Sequence, residues 1–406
     1  MTARSRSDSA NPLPFDAARF DGLLEEAGID VLIATSKHNV QYLLGGHRSF
    51  FFDYMDAIGM SRYLPIFVYP KGKPEHTAYI GTRLEQWERE LDRFWPSTVD
   101  TSTWVSTDAM RLAVAHIRGL GDGIRTIGIE SAFLPADCDA VIRQGLSNCE
   151  VVDALFPLER LRARKTPQEL ILLREASERV VASMLAVFGT CAPNDTKREL
   201  AERMRRHQVG SGLTFEYCLI TAGTGLNRAP SDQRLQAGDI VSLDSGGNYR
   251  GYIGDLCRMG ILGEPDAELE DLLSAIEEIQ QAARKPIRAG ARGGDIFAVG
   301  KGLLARSPHR EYTEFLAHGM GLVSHEAPRL TATGPVPYPG YDADRGLECG
   351  MVISIETTMA HPNRGFIKLE DTVAVTDEGY EGLGDTGRGW NRAGFGTAQA
   401  KARAAG

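Results

Sequence analysis

The first 160 residues alternate short apolar runs with longer amphipathic segments. Short runs of apolar and β-branched residues predict strands, here at 30–34, 64–69, 77–80 and 126–130. Segments whose apolar residues recur at helical spacing predict helices, here at 14–28 and 108–118. Strands that alternate with helices indicate an α/β domain with a largely parallel or mixed sheet.

A second pattern begins after the basic segment 158–167, which ends in Thr166-Pro167 and is followed by an early Glu. A Thr cap, a Pro in the first turn and an acidic first turn are start signals for a helix. We therefore place a boundary near residue 160, with one domain at 1–160 and a second at 161–385. The second domain has predicted helices at 170–187, 196–209, 265–284 and 294–304, and predicted strands at 213–223, 315–323, 350–358 and 365–375. The Gly-, Arg- and Ala-rich tail at 386–406 is expected to be loosely ordered.

The stretch 238–256 has two apolar runs around a Gly- and Asn-rich turn, a pattern that predicts a β-hairpin. With Tyr249 and Arg250 at the tip, Asp244 would lie directly opposite Asp255. Opposed residues share a face of the sheet, with Cβ atoms about 4.5–5.5 Å apart. Two carboxylates that close repel each other, and a trapped proton or a hard divalent cation would offset the cost. The alternative is two solvated carboxylates at the rim of the hairpin, and one bulge would move one of them to the other face.

Composition limits the partners and the compartment. The 406 residues carry a formal net charge of −9 and have a pI of about 5.6. This balance offers no basic stripe to neutralise phosphates, so no nucleic-acid partner is expected. No run reaches the ~18 apolar residues of a membrane span, and residues 1–12 lack the apolar core of a secretory signal. The six cysteines lie far apart, as is typical of free thiols in a reducing compartment. We therefore expect a cytoplasmic protein without a membrane partner.

Three further candidate ligands lie in apolar, strand-like segments of the second domain: His318, Glu356 and Glu370. Glycines flank the histidine, and β-branched residues surround both glutamates. Each alone is more often a structural or solvated residue, since short motifs have false positives. Together with Asp244 and Asp255 they give four carboxylates and one imidazole. Such a set suits two divalent ions that share bridging carboxylates.

The order of these residues resembles the pita-bread metallopeptidases, which include methionine aminopeptidase, aminopeptidase P, prolidase and the metal-free creatinase. The resemblance is carried by the two aspartates, by His-Gly-x-Gly-x-x-x-His-Glu-x-Pro at 318–328, by Glu356, and by Leu-Glu-Asp at 369–371. It covers 160–385 and, more loosely, the N-terminal half. It implies an α+β fold class, with a C-terminal pita-bread domain preceded by a smaller α/β creatinase-like N-terminal domain.

The resemblance also implies an activity and a division of roles. Two divalent metal ions, as Mn, Fe, Co or Zn, would be held by Asp244, Asp255, His318, Glu356 and Glu370. Asp255 and Glu370 would bridge them. Glu356 would also act as general base toward the attacking water, and His325 would hydrogen-bond the substrate or the tetrahedral intermediate. The expected reaction is hydrolysis of a C–N bond, in an Xaa-Pro dipeptide or in a small-molecule amide.

Three positions on the substrate side depart from the family pattern. Asn227 stands where proline-specific members carry a His that contacts the substrate, and an amide cannot become a cation. Lys368 replaces the Arg before the final Glu-Asp, and so lacks the fork geometry of a guanidinium. The usual Glu-Pro-Gly is here Glu356-Thr357-Thr358. Relatives on this scaffold also hydrolyse ectoine or cleave dimethylsulfoniopropionate, so a lyase is the alternative, and a non-catalytic binding module is the third hypothesis.

The segment 47–54 mixes aromatic residues with charges and has no clear period. It is interpreted either as a buried loop plug or as a lip over a binding pocket, because aromatic-rich loops often recognise ligands. On the second interpretation Arg48 and Phe51 contact the substrate. The resemblance further implies a homodimer, in which this segment reaches the pocket of the neighbouring subunit.

Overall fold

A computed structural model describes residues 13–333 and 339–393. Contacts between residues divide the chain into two compact units, with the division between Leu161 and Arg162. Each unit has its own sheet and its own buried apolar core. In the described ranges, no helix combines the length and the apolar character that crossing a membrane requires.

The N-terminal unit is built on a mixed sheet of six strands in the order β4-β3-β2-β1-β5-β6. The strands are β1 (Val31–Ala34), β2 (Ile66–Pro70), β3 (Ala78–Thr82), β4 (Thr98–Thr103), β5 (Thr126–Ile129) and β6 (Glu150–Asp153). The helices are α1 (Ala17–Glu26), α2 (Lys37–Leu43), α3 (Met55–Ile58), α4 (Ser106–Gly119), α5 (Ala136–Gly145) and α6 (Leu155–Ala163). Short 3₁₀ helices cover Phe50–Tyr54, Pro74–His76 and Arg83–Leu91.

Side-chain alternation explains why this sheet is covered on both faces. On β1, Leu32 packs into a core with α1 and α2, whereas the next residue, Ile33, packs into a second core with α4 and α5. Successive strand residues point to opposite faces, so a run of apolar residues without alternation fits a sheet that is buried on both sides.

The C-terminal unit is built on one sheet in the order β10-β11-β12-β9-β8-β7, with β13 beside β12 and β14 beside β9. The strands are β7 (Thr214–Ala222), β8 (Ile240–Tyr249), β9 (Tyr252–Leu262), β10 (Thr313–Gly319), β11 (Val352–His361), β12 (Gly365–Val375), β13 (Tyr380–Leu383) and β14 (Asn391–Ala393). The helices are α7 (Pro167–Phe188), α8 (Lys197–Gly210), α9 (Ala267–Arg284) and α10 (Gly294–Leu304). The predicted helix start is confirmed: Thr166 caps α7, and the Thr166 amide donates to Glu169 Oε2 at 2.8 Å.

Helix α7 lies directly on β9 because glycines leave room for it. A Cβ at Gly254 would stand 2.7 Å from the carbonyl carbon of Ala176, and one at Gly260 would enter the ring of Phe188. Substituting either glycine would therefore push the helix away from the strand. The opposite face of β9, which carries Asp255 and Cys257, is thus the face turned away from this helix.

The predicted hairpin is present, but its predicted register is wrong by one residue at the tip. The turn is Arg250-Gly251 rather than Tyr249-Arg250, and Asp244 pairs with Cys257 while Asp255 pairs with Gly246. Both turn residues have positive φ, 54° and 101°. Two-residue hairpin turns of this kind favour Gly at the second position. The observed partner of Asp244 is two residues along β9 from the predicted partner. Because residues two apart on a strand point to the same face, the two aspartates still share one face, as diagonal rather than direct neighbours.

The expectation of a loosely ordered tail is wrong for residues 386–393. Strand β14 runs parallel to Gly260–Leu262 of β9, and the backbone oxygens of Gly384 and Thr386 accept hydrogen bonds from Arg258 at 2.9 and 2.6 Å. A buried guanidinium requires acceptors, and this stretch supplies them. Residues 394–406 lie outside the described residues.

Candidate metal centre

One cross-strand row of the C-terminal sheet carries the core of the centre. Glu356 on β11 pairs with Glu370 on β12, Glu370 pairs with Cys257 on β9, and Cys257 pairs with Asp244 on β8. Residues paired in this way share a sheet face. Asp255 lies two residues from Cys257 on the same face.

His318 on β10 completes the set from the neighbouring row, where it pairs with Ser354 of β11. Its Nε2 lies 3.7 Å from Glu356 Oε1 and 3.8 Å from Glu370 Oε1. The other ring nitrogen, Nδ1, lies 3.2 Å from the carbonyl oxygen of Gly319, which can only accept. A proton on Nδ1 leaves a lone pair on Nε2 in the neutral ring, which is the form that ligates metals.

Two overlapping groups of ligand atoms lie close enough to share an ion. One consists of His318, Glu356 and Glu370, and the other of Asp244, Asp255 and Glu370. Within each group the ligand atoms lie within 4.8 Å of one another. Glu370 belongs to both, and the structure thus brings together all five side chains that the sequence selected.

Two atoms of this centre indicate that its chemistry is incomplete without a further group. Among the described residues, Asp255 Oδ1 and His318 Nε2 are buried and have no hydrogen-bond partner. Buried polar atoms are paired in most protein structures, and among the unpaired ones in the described residues these two belong to the candidate ligands. Carboxylate oxygens combined with one imidazole nitrogen match the ligand preference of Mn, Fe, Co or Zn. The residues present therefore fit a divalent metal ion.

The Lys368 ammonium lies among these carboxylates. It contacts Asp244 Oδ2 at 2.7 Å, Glu356 Oε2 at 2.5 Å and Glu370 Oε2 at 2.8 Å. The sequence predicted a substrate-binding role for Lys368, and the structure places its charge within the candidate metal centre itself. The reason is the strand period, because Lys368 and Glu370 are two residues apart on β12.

The electrostatics of the centre follow from burial and from this ammonium. Burial raises the pKa of Asp244 to about 6, against the opposing charge of Lys368. Burial, and then the charge of Glu370, raise the pKa of Asp255 well above its usual range. Burial also favours the neutral acid of Glu370, but Lys368 and His318 outweigh it and lower the pKa of Glu370. These carboxylates therefore differ in how readily they ionise, although they share one pocket.

His325, predicted to contact the substrate, stacks on His318 with ring centroids 3.7 Å apart and planes at 16°. His325 is exposed as a residue. Desolvation of the covered face, followed by repulsion from a charged His318, lowers the pKa of His325 to about 4. Its ring is therefore neutral near pH 7, with one nitrogen able to donate and one able to accept.

Asn227 lies in the loop before β8 and is exposed. Its Oδ1 accepts from the amide of Ala229 at 2.9 Å, which is a local turn contact. Its neighbour Arg228 instead reaches the centre. The Arg228 guanidinium pairs with Asp244 and lies 5.1 Å from the ring centroid of Phe366.

Sequence reasoning missed Arg228 and two further polar partners of the ligands. Burial, and then the charge of Asp255, raise the pKa of the Tyr217 hydroxyl well above its usual range, and Gly246 leaves space for the Tyr217 ring, which a Cβ would meet at 2.5 Å. The Ser354 hydroxyl donates to Glu370 Oε1 at 2.9 Å. Ser354 lies two residues from Glu356 on β11, so the strand period is a signal that could have identified it.

Arg48 and Phe51 belong to the N-terminal unit. Arg48 donates to Gln41 Oε1 at 3.0 Å and pairs with Asp53. Phe51 is half-buried and packs against the core of that unit, with its ring centroid 6.2 Å from that of Tyr63. Their role as substrate contacts stays a prediction.

A cavity of about 720 Å³ lies beside the centre in the C-terminal unit. Glu356, Lys368 and Arg228 line it, together with apolar side chains that include Phe315 and Phe366. A mostly apolar cavity with a few convergent polar groups is the usual form of a small-molecule site.

Comparison with known families extends this picture. The model of metallopeptidase family M24 matches residues 171–377, just over half of the chain, and the model of the creatinase/prolidase N-terminal domain matches residues 17–164. The chain belongs to metallopeptidase family M24. The predicted pita-bread family and the predicted α+β fold class are thus confirmed, and this M24 member is an enzyme of the metallohydrolase class.

Individual relatives at low sequence identity are in line with this family assignment. The M24 chain is 28% identical over 361 residues to "Probable dipeptidase PepE" of Mycobacterium bovis, covering 87% of this chain and 89% of the relative. It is 26% identical over 273 residues to the Xaa-Pro dipeptidase of Pyrococcus horikoshii, covering 66% and 75%. Among solved structures, the Xaa-Pro dipeptidase from Bacillus anthracis superposes with a TM-score of 0.77 at 21% identity, covering 93% of this chain and 98% of that one. The last likeness is one of fold.

Proposed function

We propose that this M24 member is a dinuclear metal-dependent hydrolase that cleaves a C–N bond in a dipeptide or a small amide. The observation that carries the proposal is the pair of ligand groups that share Glu370. A carboxylate common to two groups is what a bridged pair of ions requires. The unpartnered Asp255 Oδ1 and His318 Nε2 support it, because each would gain a partner.

Glu356 and His325 have separate tasks in this proposal. Divalent ions, when bound, polarise the scissile carbonyl and lower the pKa of water. Glu356 lines the cavity and accepts the proton of the attacking water as general base. His325 is exposed as a residue, and its neutral ring can donate a hydrogen bond to the oxyanion that develops.

The substrate class follows from the cavity and the relatives. PepE is named as a probable dipeptidase, and the Pyrococcus protein as an Xaa-Pro dipeptidase. A cavity of about 720 Å³ has room for a dipeptide or a cyclic amide. We therefore place dipeptides first, with Xaa-Pro substrates among them, and small cyclic or amide compounds such as ectoine second.

The direct test combines metal analysis with a substrate screen. The purified chain is loaded with Mn, Fe, Co or Zn, and bound metal is counted before dipeptides and small cyclic amides are assayed. We expect two ions per chain and hydrolysis of at least one dipeptide. Asp255→Ala should lose metal and activity together, whereas Asp232→Ala, at an exposed loop position, should lose neither. Full metal content in Asp255→Ala would contradict the ligand assignment.

The lyase alternative differs in the fate of solvent oxygen. Hydrolysis places one oxygen of water in the carboxylate product, whereas elimination gives an unsaturated product without it. The reaction is therefore run in ¹⁸O-labelled water and the product mass is measured. A product without label would replace the hydrolase proposal with the lyase.

We further propose a homodimer in the cytoplasm, with segment 47–54 at the neighbouring subunit. Sedimentation of the active enzyme tests the assembly, and Arg48→Ala with Phe51→Ala tests the segment. Raised KM in both variants is expected. A strictly monomeric chain with full activity would dismiss the role of this segment, and cell fractionation tests the compartment.

A further inference from the structure

Two side-chain cations contact carboxylates that a metal ion would need. The Lys368 ammonium contacts Asp244 Oδ2, Glu356 Oε2 and Glu370 Oε2 at 2.5–2.8 Å. These three carboxylates represent both of the overlapping ligand groups. Lys368 is therefore a partner of the ligands themselves and is not confined to the cavity wall.

Arg228 is the second cation. Its guanidinium pairs with the same oxygen of Asp244 that Lys368 contacts. The Asp244 side chain is almost fully buried, whereas that of Arg228 is 35% exposed and rests over the ring of Phe366. Arg228 can thus leave the carboxylate without leaving the cavity, because its ring contact would hold it there.

A metal ion and these side chains cannot use the carboxylates independently. Four carboxylates meet two side-chain cations in the centre, and each divalent ion adds two further positive charges. At the effective dielectric of a protein, a unit charge a few Å from another of the same sign repels it strongly. Metal binding therefore weakens the hold of the carboxylates on both side chains.

We propose that Lys368 and Arg228 compete with metal ions for these carboxylates, and that metal binding releases both cations to bind a carboxylate group of the substrate. The proposal rests on the proposed function for the presence of metal, and it selects among its substrates those with a free carboxylate over uncharged amides. Both side chains line the cavity beside Glu356, so the released charges face the space where a substrate would lie. A guanidinium with an ammonium is a strong carboxylate site.

The first test measures metal affinity without any assay of activity. The metal-free full-length chain and the variants Lys368→Met and Arg228→Met are titrated with Mn²⁺ by calorimetry. Competition predicts that each variant binds Mn²⁺ at least about tenfold more tightly, because a repelling unit charge is gone. Equal or weaker binding in both variants would overturn the proposal and leave these residues as mere supports of the ligands.

Two further variants control for charge and for packing. Lys368→Arg keeps the charge and should bind Mn²⁺ within about threefold of the parent, a difference below one kcal/mol. Lys301→Met removes a cation that lines the same cavity but donates to Thr333 Oγ1 at 3.0 Å. Its Mn²⁺ affinity should be unchanged. If Lys368→Met weakens the fold, thermal unfolding still reports its metal affinity. Mn²⁺ should raise the Tm of this variant by more than it raises the Tm of the parent, because tighter binding stabilises the folded state more.

The second test follows the released charges. N-acetylalanine and its uncharged amide are titrated into the chain with and without Mn²⁺. The acid should bind only with Mn²⁺, and about tenfold more weakly to Mn²⁺-loaded Arg228→Met; the amide should bind weakly in every case. Equal binding of the acid to the Mn²⁺-loaded parent and to the Mn²⁺-loaded variant would mean that the metal alone binds the carboxylate. That result would overturn the proposal that metal binding frees Arg228 to bind the substrate. Failure of the parent to bind any metal would instead remove the proposed function, so the two failures are distinct.

Discussion

The two faces of β12 carry charge clusters of opposite design, although their key residues are adjacent in the sequence. Glu370 faces the candidate metal centre, where four carboxylates meet two side-chain cations. Asp371 faces the other way, and Arg258 and Arg284 bind it at 3.0 and 2.8 Å, with Arg388 also paired to it. In the second cluster three guanidinium groups match the charge of Asp371, whereas in the first the carboxylates outnumber the side-chain cations.

This difference separates a functional site from a structural one. A buried carboxylate whose charge is matched by arginines needs no further ligand. A buried group with excess acid and an unpaired imidazole nitrogen does need one. Substitutions at 370 and 371 should therefore have different consequences, even though they are one peptide bond apart.

The largest expected effect is that of Glu370→Ala. It removes the carboxylate that belongs to both ligand groups. Activity should fall by more than about a hundredfold, because even outer partners of metal ligands are worth 10–100-fold. Metal analysis of the folded variant should show loss of bound metal. Retention of the full metal content would remove Glu370 from the centre.

Asp371→Asn should instead act on stability. It removes a carboxylate that pairs with three buried or half-buried guanidinium groups and is the acidic partner of Arg258, and breaking a buried ion pair costs about 3–5 kcal/mol. Urea unfolding measures the change in the free energy of unfolding. The folded fraction should keep its metal. The exposed pair of Arg198 and Asp232 is the matched control, and Asp232→Asn should change stability little.

A smaller effect is expected at acid pH from Asp385. Burial favours its neutral acid, but hydrogen bonds from Arg284 prevail and lower its pKa to about 2, from 3.8. A lowered pKa contributes stability above the unfolded value and loses it as the pH falls through the folded value. The stability difference between the parent and Asp385→Asn should thus be about 1 kcal/mol at pH 6, after allowance for partial exposure, and vanish near pH 2. A difference that stays constant between pH 5 and pH 2 would contradict this assignment.

The smallest effect is expected from Asn227→His. The sequence predicts a shift of activity toward Xaa-Pro dipeptides, but the Asn227 side chain is exposed and engaged in its own turn. The ratio of kcat/KM for Xaa-Pro and other dipeptides should change by about threefold at most, which is below one kcal/mol. Arg228→Met should change the same ratio more. A larger change in this ratio for Asn227→His than for Arg228→Met would instead identify Asn227 as the specificity residue.

The sequence selected the five candidate ligands from two signals: a carboxylate within a β-branched strand is rarely buried without a partner, and the order of the five residues resembles that of the pita-bread metallopeptidases. It also located the start of α7, where Thr166 and Pro167 have a defined capping chemistry. Turn chemistry decided the hairpin register, and the preference of Gly251 for positive φ was the signal that the prediction overlooked.

Other features could not be predicted because they depend on tertiary contacts. Arg228 lies in a loop without a period, so nothing local indicates that its side chain reaches Asp244. Residues 384 and 386 accept hydrogen bonds from Arg258, which is distant in the sequence, and residues 391–393 pair with β9. A Gly-, Arg- and Ala-rich composition predicts a flexible tail, because composition carries no information about a buried donor elsewhere in the chain.

The close contact between Gly254 and α7 has a mechanical consequence. The backbone of Ala176 packs against Gly254 of β9, one residue before Asp255, and Gly254 has no side chain to separate the two backbones. Any tilt of this long helix is therefore transmitted to the position of a ligand carboxylate. Heat or a remote substitution that loosens α7 should release bound metal before the helical signal in circular dichroism declines.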